Sequence, residues 1–330
     1  MRAVVIANEN GAGSLQLQTV PEPAFGPSDL LVDIHAAAVN RADLRRATTH
    51  FAGSEDGPAV AIGGLEMAGE VVAVGEAAEG FSVGDRVMAM TGRSWAEQVA
   101  VDYRLALPVP RTFGWAEAAA TPISFITAHD ALASAAGLQP GETVLVRGAS
   151  SAAGLATVQI ARALDAARVF ATTNDSGKLA ALAELGGEPL DSSSGSLAPT
   201  IDRLTDGRGV DVVIDIVGAT VVQDNIDAAA VTGRIVCLGR LAGTEGTFNL
   251  DEFSRKRIRM IGVTFRTRTL EERTAVVSRF REEMLPRLEA REIRPVIDRM
   301  FPLAEVERAE QYVRDNRSFG KVVIEVRSPG

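Results

Sequence analysis

Apolar and polar positions alternate in two distinct rhythms along the chain. Over the first third, short apolar runs at Arg2 to Ala7, Leu30 to Ala36, Val71 to Val74 and Arg86 to Met90 read as strands, punctuated by Gly69, Gly75, Gly80 and Gly84. Many short strands with glycine and proline turns predict a compact, barrel-like β domain. His50 to Gly64 has no periodicity and reads as a loop. The rhythm changes after Pro140-Gly141. An apolar run at Thr143 to Val146 meets a small-residue turn, Gly148-Ala-Ser-Ser-Ala-Ala-Gly154, and a helical pattern follows through Ala166. Strands are then predicted at Arg168 to Thr172, Val210 to Ile214, Arg234 to Leu238 and Met260 to Val263, with helices at Lys178 to Leu185 and Val221 to Ala230. This alternation predicts right-handed crossovers and a parallel sheet of about six strands, an α/β doubly wound architecture. Beyond it lie a charged helix from Leu270 to Leu288, a strand at Val296 to Met300 and a helix opened by Pro302 with Val306, Ala309 and Val313 on one face. Gly320 is placed to terminate that helix, and Lys321 to Val326 is a last strand. This tail is expected to return to the first domain.

Composition narrows the function classes. A chain of 330 residues suggests more than one core. With 46% hydrophobic and 23% charged residues it is globular rather than disordered. No apolar run approaches the ~18 residues of a membrane span, and the first residues lack the apolar core of a secretory signal. The formal net charge of -9 argues against a nucleic-acid partner. Cys237 is the single cysteine, so no disulfide forms within the chain, which fits a reducing cytoplasm. With His35, His50 and His129 as the only histidines, neither an all-cysteine nor a His-rich zinc site is expected.

The turn at Ala149 to Gly154 lies where a helix N-terminus receives a pyrophosphate. Of the three glycines in the usual G-x-G-x-x-G fingerprint only Gly154 is present; Ala149 and Ser151 take the other places. Ala is small enough for the turn, and the Ser151 hydroxyl could donate a hydrogen bond. Any strand-to-helix turn favours small residues, so the loop alone is a weak signal. At the end of the next strand, where NAD-specific sites carry an acidic residue, the chain has Thr172-Thr173-Asn174. That absence, with Lys178 following, favours NADPH. Asp175 reads as the N-cap of the helix containing Lys178, and Lys178 also has a plain reading as a solvated helix charge.

With these residues in hand, the chain resembles the medium-chain dehydrogenase/reductase superfamily, and within it the zinc-free quinone oxidoreductase (zeta-crystallin-like) branch. The resemblance rests on Val39-Asn-Arg-Ala-Asp-Leu44, Gly64-Leu-Glu-Met-Ala-Gly-Glu-Val-Val-Ala-Val-Gly75, Val83-Gly-Asp-Arg-Val87, Ala119-Ala-Thr-Pro122 with Thr127-Ala128, Gly207-Arg-Gly-Val-Asp-Val-Val213 and Asn316-Arg-Ser-Phe-Gly-Lys321. It implies a GroES-like catalytic domain formed by residues 1–122 and 266–330, a Rossmann domain over 123–265 between them, and a homodimer. Zinc members carry a metal-binding Cys where this chain has Asn40, and Gly-His-Glu where it reads Gly64-Leu65-Glu66. The resemblance therefore implies a metal-independent reductase.

Hydride transfer without a metal needs an acceptor that is already electrophilic, such as a quinone or another α,β-unsaturated carbonyl. By resemblance, Asn40 and Asp43 belong to the active-site cleft. Thr127 contacts the nicotinamide or its ribose, and Gly239, Arg240, Leu241 and Phe265 line the nicotinamide pocket. Ser150, Ser151, Ala152, Ala153, Gly154 and Leu155 hold the pyrophosphate, Thr173 and Lys178 face the adenosine phosphate, and Asn316 closes over the cofactor. Plainer readings stand beside these: mutual capping of Asn40 and Asp43 in a turn, a self-bonded helix residue for Thr127, and ordinary core for Phe265. Where related reductases place a substrate-loop tyrosine, the chain has Phe51 preceded by His50. Either solvent or His50 then protonates the product, unless His50 is simply a solvated loop residue. Phe51 and Trp95 could form an aromatic wall, although Trp95 reads better as core. Arg240 is a candidate for orienting an acidic acceptor, whereas Arg266 and Arg268 read as structural. The expectation is an NADPH-dependent, zinc-independent quinone or enone reductase; an enoyl-thioester reductase or a non-catalytic NADPH-binding sensor remain as alternatives.

Overall fold

The structure, a computed structural model, describes residues 1–9, 12–45 and 60–327. Two compact units divide the chain: Met1–Ile126 together with Phe265–Gly330, and Thr127–Thr264. The boundaries expected from sequence lay at 122 and 265.

The first unit is built on strands. β1 (Arg2–Glu9) and β2 (Ala12–Thr19) form an antiparallel ribbon. The main sheet contains β3 (Asp29–Val39), β4 (Glu66–Val74), β5 (Arg86–Met90), β6 (Gln98–Asp102) and β7 (Ala106–Pro108). β3 runs further than the predicted Leu30 to Ala36. Its first half alternates, with Leu30, Val32 and Ile34 buried, as expected of a strand with one wet face. Its second half, Ala36 to Val39, is buried on every residue. The reason lies in its pairing. Along one edge β3 meets β4; along the other it meets β6 over Asp29–Asp33 and then the final strand over Ala36–Val39. Gly69 of β4 sits opposite Ile34 at an irregularity in this ladder, where an added Cβ would lie 2.1 Å from the Asp33 carbonyl oxygen. Trp95 is core, its Nε1 donating to the Ala38 carbonyl at 3.2 Å. α1 (Trp115–Ala119) follows, and α2 (Pro122–His129) leads out of this part of the chain.

In the second unit, β8 (Thr143–Arg147), β9 (Arg168–Thr173), β10 (Glu188–Asp191), β11 (Val210–Asp215), β12 (Ala229–Cys237) and β13 (Arg259–Gly262) form one parallel six-stranded sheet in the order β10-β9-β8-β11-β12-β13. Central strands β8 and β11 are almost continuously buried, because crossover helices cover both faces of a parallel sheet. The order is that of a Rossmann fold. β10 has no counterpart in the predicted strands. Its sequence, Glu-Pro-Leu-Asp, has low strand propensity, and proline is tolerated there because the strand is an edge. Between the strands lie α3 (Ala152–Ala163), α4 (Leu179–Glu184), α5 (Ala198–Leu204), α6 (Val222–Ala228) and α7 (Leu250–Arg255). α6 stops before the predicted Ala230 because Ala229 already pairs with Val210 in the sheet. α3 stops before Ala166 at Asp165, whose φ is 60°.

The tail returns to the first unit. α8 (Leu270–Glu289) opens with a reciprocal Thr269–Glu272 capping box and buries Val277, Phe280, Met284 and Leu288 on one stripe. β14 (Ile297–Pro302), α9 (Val306–Arg314) and β15 (Lys321–Glu325) complete the chain, and β15 inserts between β14 and β3. The expected terminator, Gly320, does not end α9. The chain leaves that helix through Asn316 in the left-handed region, φ 58°, which a short amide side chain tolerates. Gly320 instead opens β15, where a Cβ would lie 2.4 Å from the Val296 carbonyl.

Gly69→Ala should lower stability by about 1–3 kcal/mol, the usual cost of forcing atoms into a filled space. Gly262→Ala, with nothing within 4 Å of the new Cβ, should change it little. Denaturant melts of both variants check this; equal midpoints would contradict the packing described.

Candidate functional site

Two polar groupings stand out, one in each unit. In the second unit it lies at the C-terminal ends of the strands. β8 and β11 are neighbours there, while the chain winds outward from each in opposite directions, which opens a crevice at the sheet's switch point. After β8 the chain turns at Gly148, and Ser151 caps α3. Its hydroxyl donates to the Gly148 carbonyl at 2.8 Å and accepts the Gly154 amide at 3.1 Å. That corrects the expectation of an outward donor: the Ser151 hydroxyl proton is spent within the turn. Gly154 is required by packing, since a Cβ would lie 2.4 Å from the Gly148 oxygen and 2.5 Å from the Ala149 Cα. The half-buried first-turn residues Ala152 and Ala153 carry helix-start amides, which have no acceptor within a helix. Leu155 is buried and points its bulk into the core. This cradle, with glycine where backbone crowds and free helix-start amides, fits an anionic pyrophosphate.

At the end of β9, Thr173 is buried, and its hydroxyl bonds Ser150 Oγ at 3.3 Å and the Asp175 amide at 3.2 Å. Asp175 caps the short 3-10 turn Ser176–Lys178, and its carboxylate lies 3.4 Å from Lys178 Nζ. At the end of β11, Asp215 accepts from the amides of Val217 (2.8 Å) and Gly218 (2.9 Å) and from Asn225 Nδ2 (2.9 Å). Buried Arg147 closes this group, with Nε on Asn225 Oδ1 at 2.8 Å and an ion pair to Asp224. Burial pushes the Asp215 carboxyl up, against the pull of the two amides. Sequence reading missed this set; the signal was an Arg and an Asp ending otherwise apolar strands. The Leu238 and Gly239 amides bond the Asp215 carbonyl, the Leu241 amide bonds that of Ile216, and the Arg240 and Leu241 side chains are exposed. Thr127 lies half-buried in α2.

In the first unit a buried cluster forms where β3, β4 and β15 lie side by side. Asn40 follows the end of β3, Glu66 begins β4, and Lys321 begins β15 one residue beyond the Val322–Val39 pair. Glu66 is 0% exposed and Lys321 2%. Lys321 Nζ bonds Glu66 Oε1 at 2.6 Å and Asn40 Oδ1 at 2.7 Å, and Asn40 Nδ2 donates to the same Glu66 oxygen at 2.9 Å. The other Glu66 oxygen accepts the Ile123 amide at 2.8 Å. Asp43 Oδ2 accepts the Asn40 backbone amide at 2.7 Å. Asn40 and Asp43 thus do form a capping turn, but only through Asn40's backbone; its side chain belongs to Glu66 and Lys321. Neither Glu66 nor Lys321 was among the expected site residues. The signal was a charge opening each of two apolar strands, Glu-Met-Ala-Gly and Lys-Val-Val-Ile.

Two further expected site residues lie in the first unit. The Asn316 side-chain oxygen accepts from Arg41, and Phe265 is buried with the Arg268 guanidinium 4.8 Å from its ring centre. His50 and Phe51 lie outside the described residues.

The chain matches two families in tandem: residues 26–126 match the alcohol dehydrogenase GroES-like domain and residues 152–282 the zinc-binding dehydrogenase family. It is 30% identical to quinone oxidoreductase-like protein 2 of Bos taurus over 312 residues, 94% of this chain and 88% of that one. It is 32% identical to squalestatin tetraketide synthase clz2 of Cochliobolus lunatus over 273 residues, 79% of this chain and 10% of that much longer one. A mycobacterial structure complexed with NADPH superposes with a TM-score of 0.83 at 27% identity, covering 99% of this chain and 100% of that one. The fold and the site define a nicotinamide-dependent oxidoreductase built from a GroES-like and a Rossmann-like unit. The chain belongs to the medium-chain dehydrogenase/reductase superfamily.

One family name implies zinc, and the residues do not fit it. At the positions where zinc members carry ligands stand the Asn40 amide and the apolar Leu65, and the Glu66 carboxylate is engaged by an ammonium. No group of three or more His, Cys, Asp or Glu suited to a metal occurs among the described residues.

Burial holds the Asp43 carboxyl well above the usual carboxylate range; the Asn40 amide pulls it down and the Glu66 charge pushes it up. A carboxyl with a raised folded pKa binds its proton more tightly when folded. Its contribution is complete below the unfolded value of about 3.9 and is lost as pH rises through the folded value. Asp43→Asn, neutral throughout, should therefore gain stability relative to the unsubstituted protein from about pH 4 upward. Thermal melts across pH read this directly, and a constant difference would contradict it.

Proposed function

We propose that this protein is an NADPH-dependent, zinc-independent reductase that delivers hydride to a quinone or another α,β-unsaturated carbonyl. The observation that carries this reading is the buried Lys321–Glu66–Asn40 cluster, which holds an ammonium against the residue that stands where zinc relatives carry a ligand cysteine. Bound NADPH supplies the hydride. The Ala152 and Ala153 amides and the Ser150 hydroxyl receive the pyrophosphate, with Gly154 allowing helix and strand to meet. Thr127 and the Gly239–Leu241 backbone hold the nicotinamide end. Thr173 fixes the turn that presents Lys178 to the adenosine phosphate. Lys178 has an exposed partner in Asp175, and such a pair is weak enough to yield to a phosphate. Asn40 donates a hydrogen bond to the acceptor oxygen. No Lewis acid takes part, so the acceptor must spread the arriving charge by its own conjugation. A cytoplasmic homodimer belongs to the same reading, supported by the single cysteine and the family relationship.

A second reading, reduction of an enoyl thioester, is favoured by the likeness to a stretch of a polyketide synthase. NADPH oxidation with benzoquinone and with a crotonyl thioester under identical conditions separates the two, and the expected result is faster turnover of the quinone. Binding of NADPH with neither acceptor reduced would favour a sensor instead. Lys178→Ala should weaken NADPH about tenfold or more, as loss of a charge-assisted hydrogen bond does, with little effect on NADH. Equal losses for both cofactors, read by fluorescence titration, would overturn the assignment.

A further inference from the structure

We propose that Lys321 is a positioning residue, whose buried ammonium acts through Asn40 to orient and polarise the one amide hydrogen this cluster leaves for a substrate oxygen. The inference rests on the reductase reading above and extends it.

A buried ammonium–carboxylate pair is poor evidence for stability, because both ions lose water and an apolar pair of similar shape does as well or better. What the pair does here is geometric. A primary amide can be turned end for end with little change in shape. In Asn40 that freedom is removed from both sides. The oxygen faces the ammonium at 2.7 Å, and the nitrogen faces the carboxylate at 2.9 Å. The direct Lys321–Glu66 contact at 2.6 Å closes the ring. Glu66 cannot swing, since its second oxygen is held by the Ile123 amide at 2.8 Å. Asn40 cannot shift along the chain either, since Asp43 holds its backbone amide at 2.7 Å.

Amide nitrogen carries two hydrogens, and Glu66 takes one. The second belongs to a side chain at the edge of burial, Asn40 being 9% exposed. A positive charge on the amide oxygen draws electron density from the nitrogen and makes that hydrogen a stronger donor. The ammonium thus does at one remove what a metal would do directly. It favours negative charge developing on the acceptor, and it does so through a donor with fixed direction. Asn40 touches the substrate; Lys321 and Glu66 do not.

The test uses the full-length protein. Lys321→Met alone strands the Glu66 charge and risks unfolding, so the decisive variant is the double Glu66→Gln/Lys321→Met, which removes both charges and keeps the volume. A melting temperature close to the unsubstituted protein and an unchanged NADPH affinity are expected. The kcat for benzoquinone should fall about 10- to 100-fold with a smaller change in KM, the scale of losses when a supporting shell is removed. In 15N-labelled protein, the Asn40 side-chain amide, identified by its loss in Asn40→Ala, should give a downfield-shifted hydrogen that exchanges slowly with solvent, and that shift and protection should be lost in the double variant. Propylammonium added to Lys321→Ala should restore turnover saturably, and propanol should not. A folded double variant with kcat within about twofold, or an Asn40 amide unaltered by it, overturns the proposal. If the unsubstituted protein reduces neither acceptor, the reductase reading fails by itself, and the amide signals still decide whether Lys321 orients Asn40.

Discussion

The contact on which the first unit's site depends is the one between the Lys321 ammonium and the Glu66 carboxylate. Both groups are inside the protein, and neither could remain charged there alone. Their meeting requires that β15, from the end of the chain, lie beside β3, and that β4 lie on the other side. The pairing therefore ties the fold to the chemistry. If β15 slipped by one residue, Lys321 would point to the opposite face, because side chains alternate along a strand. Gly320, immediately before it, crowds the Val296 carbonyl and helps set the register.

The second unit solves a different problem by backbone means. On the proposed reading, an anionic pyrophosphate is met there by amides and by the geometry of a turn rather than by a buried ion. Ser151 shows how this works. Its hydroxyl is used twice within the turn, which stiffens the loop, while the Ala152 and Ala153 amides have no acceptor within the helix. Asp215, Asn225 and Arg147 brace the neighbouring turn after β11 in the same way, through directional bonds to backbone and side-chain amides. Rigid donors of this kind lose little on binding a ligand, so they favour affinity without a large apolar pocket.

Much of this was legible from the sequence because the signals were local. The strand–turn–helix that starts at Thr143 is written in an apolar run, a small-residue turn and a helical pattern, although the capping role of Ser151 was not read. The capping role of Asp175 was visible. β10 was not, since its Glu-Pro-Leu-Asp sequence becomes a strand only because β9 offers it an edge. The end of α9 was misplaced for a similar reason: Asn316 supplied the left-handed residue that glycine was expected to supply. In the candidate site, Asn40 and Asp43 were recognised, but Glu66 was read only as part of the Gly64-Leu-Glu motif and Lys321 only as a strand residue, because nothing in a single sequence says that positions 255 apart share a hydrogen bond.

Local pattern alone specified many of the strands and helices, the change from a β-rich to a doubly wound part, and the glycine on which the phosphate-type turn depends. Those follow from periodicity and from steric rules that act within a few residues. Only the tertiary structure decided which charges are buried and what they touch. That choice depends on strand register and on the return of the tail, and it converts two unremarkable strand-opening charges into the closed ring around Asn40.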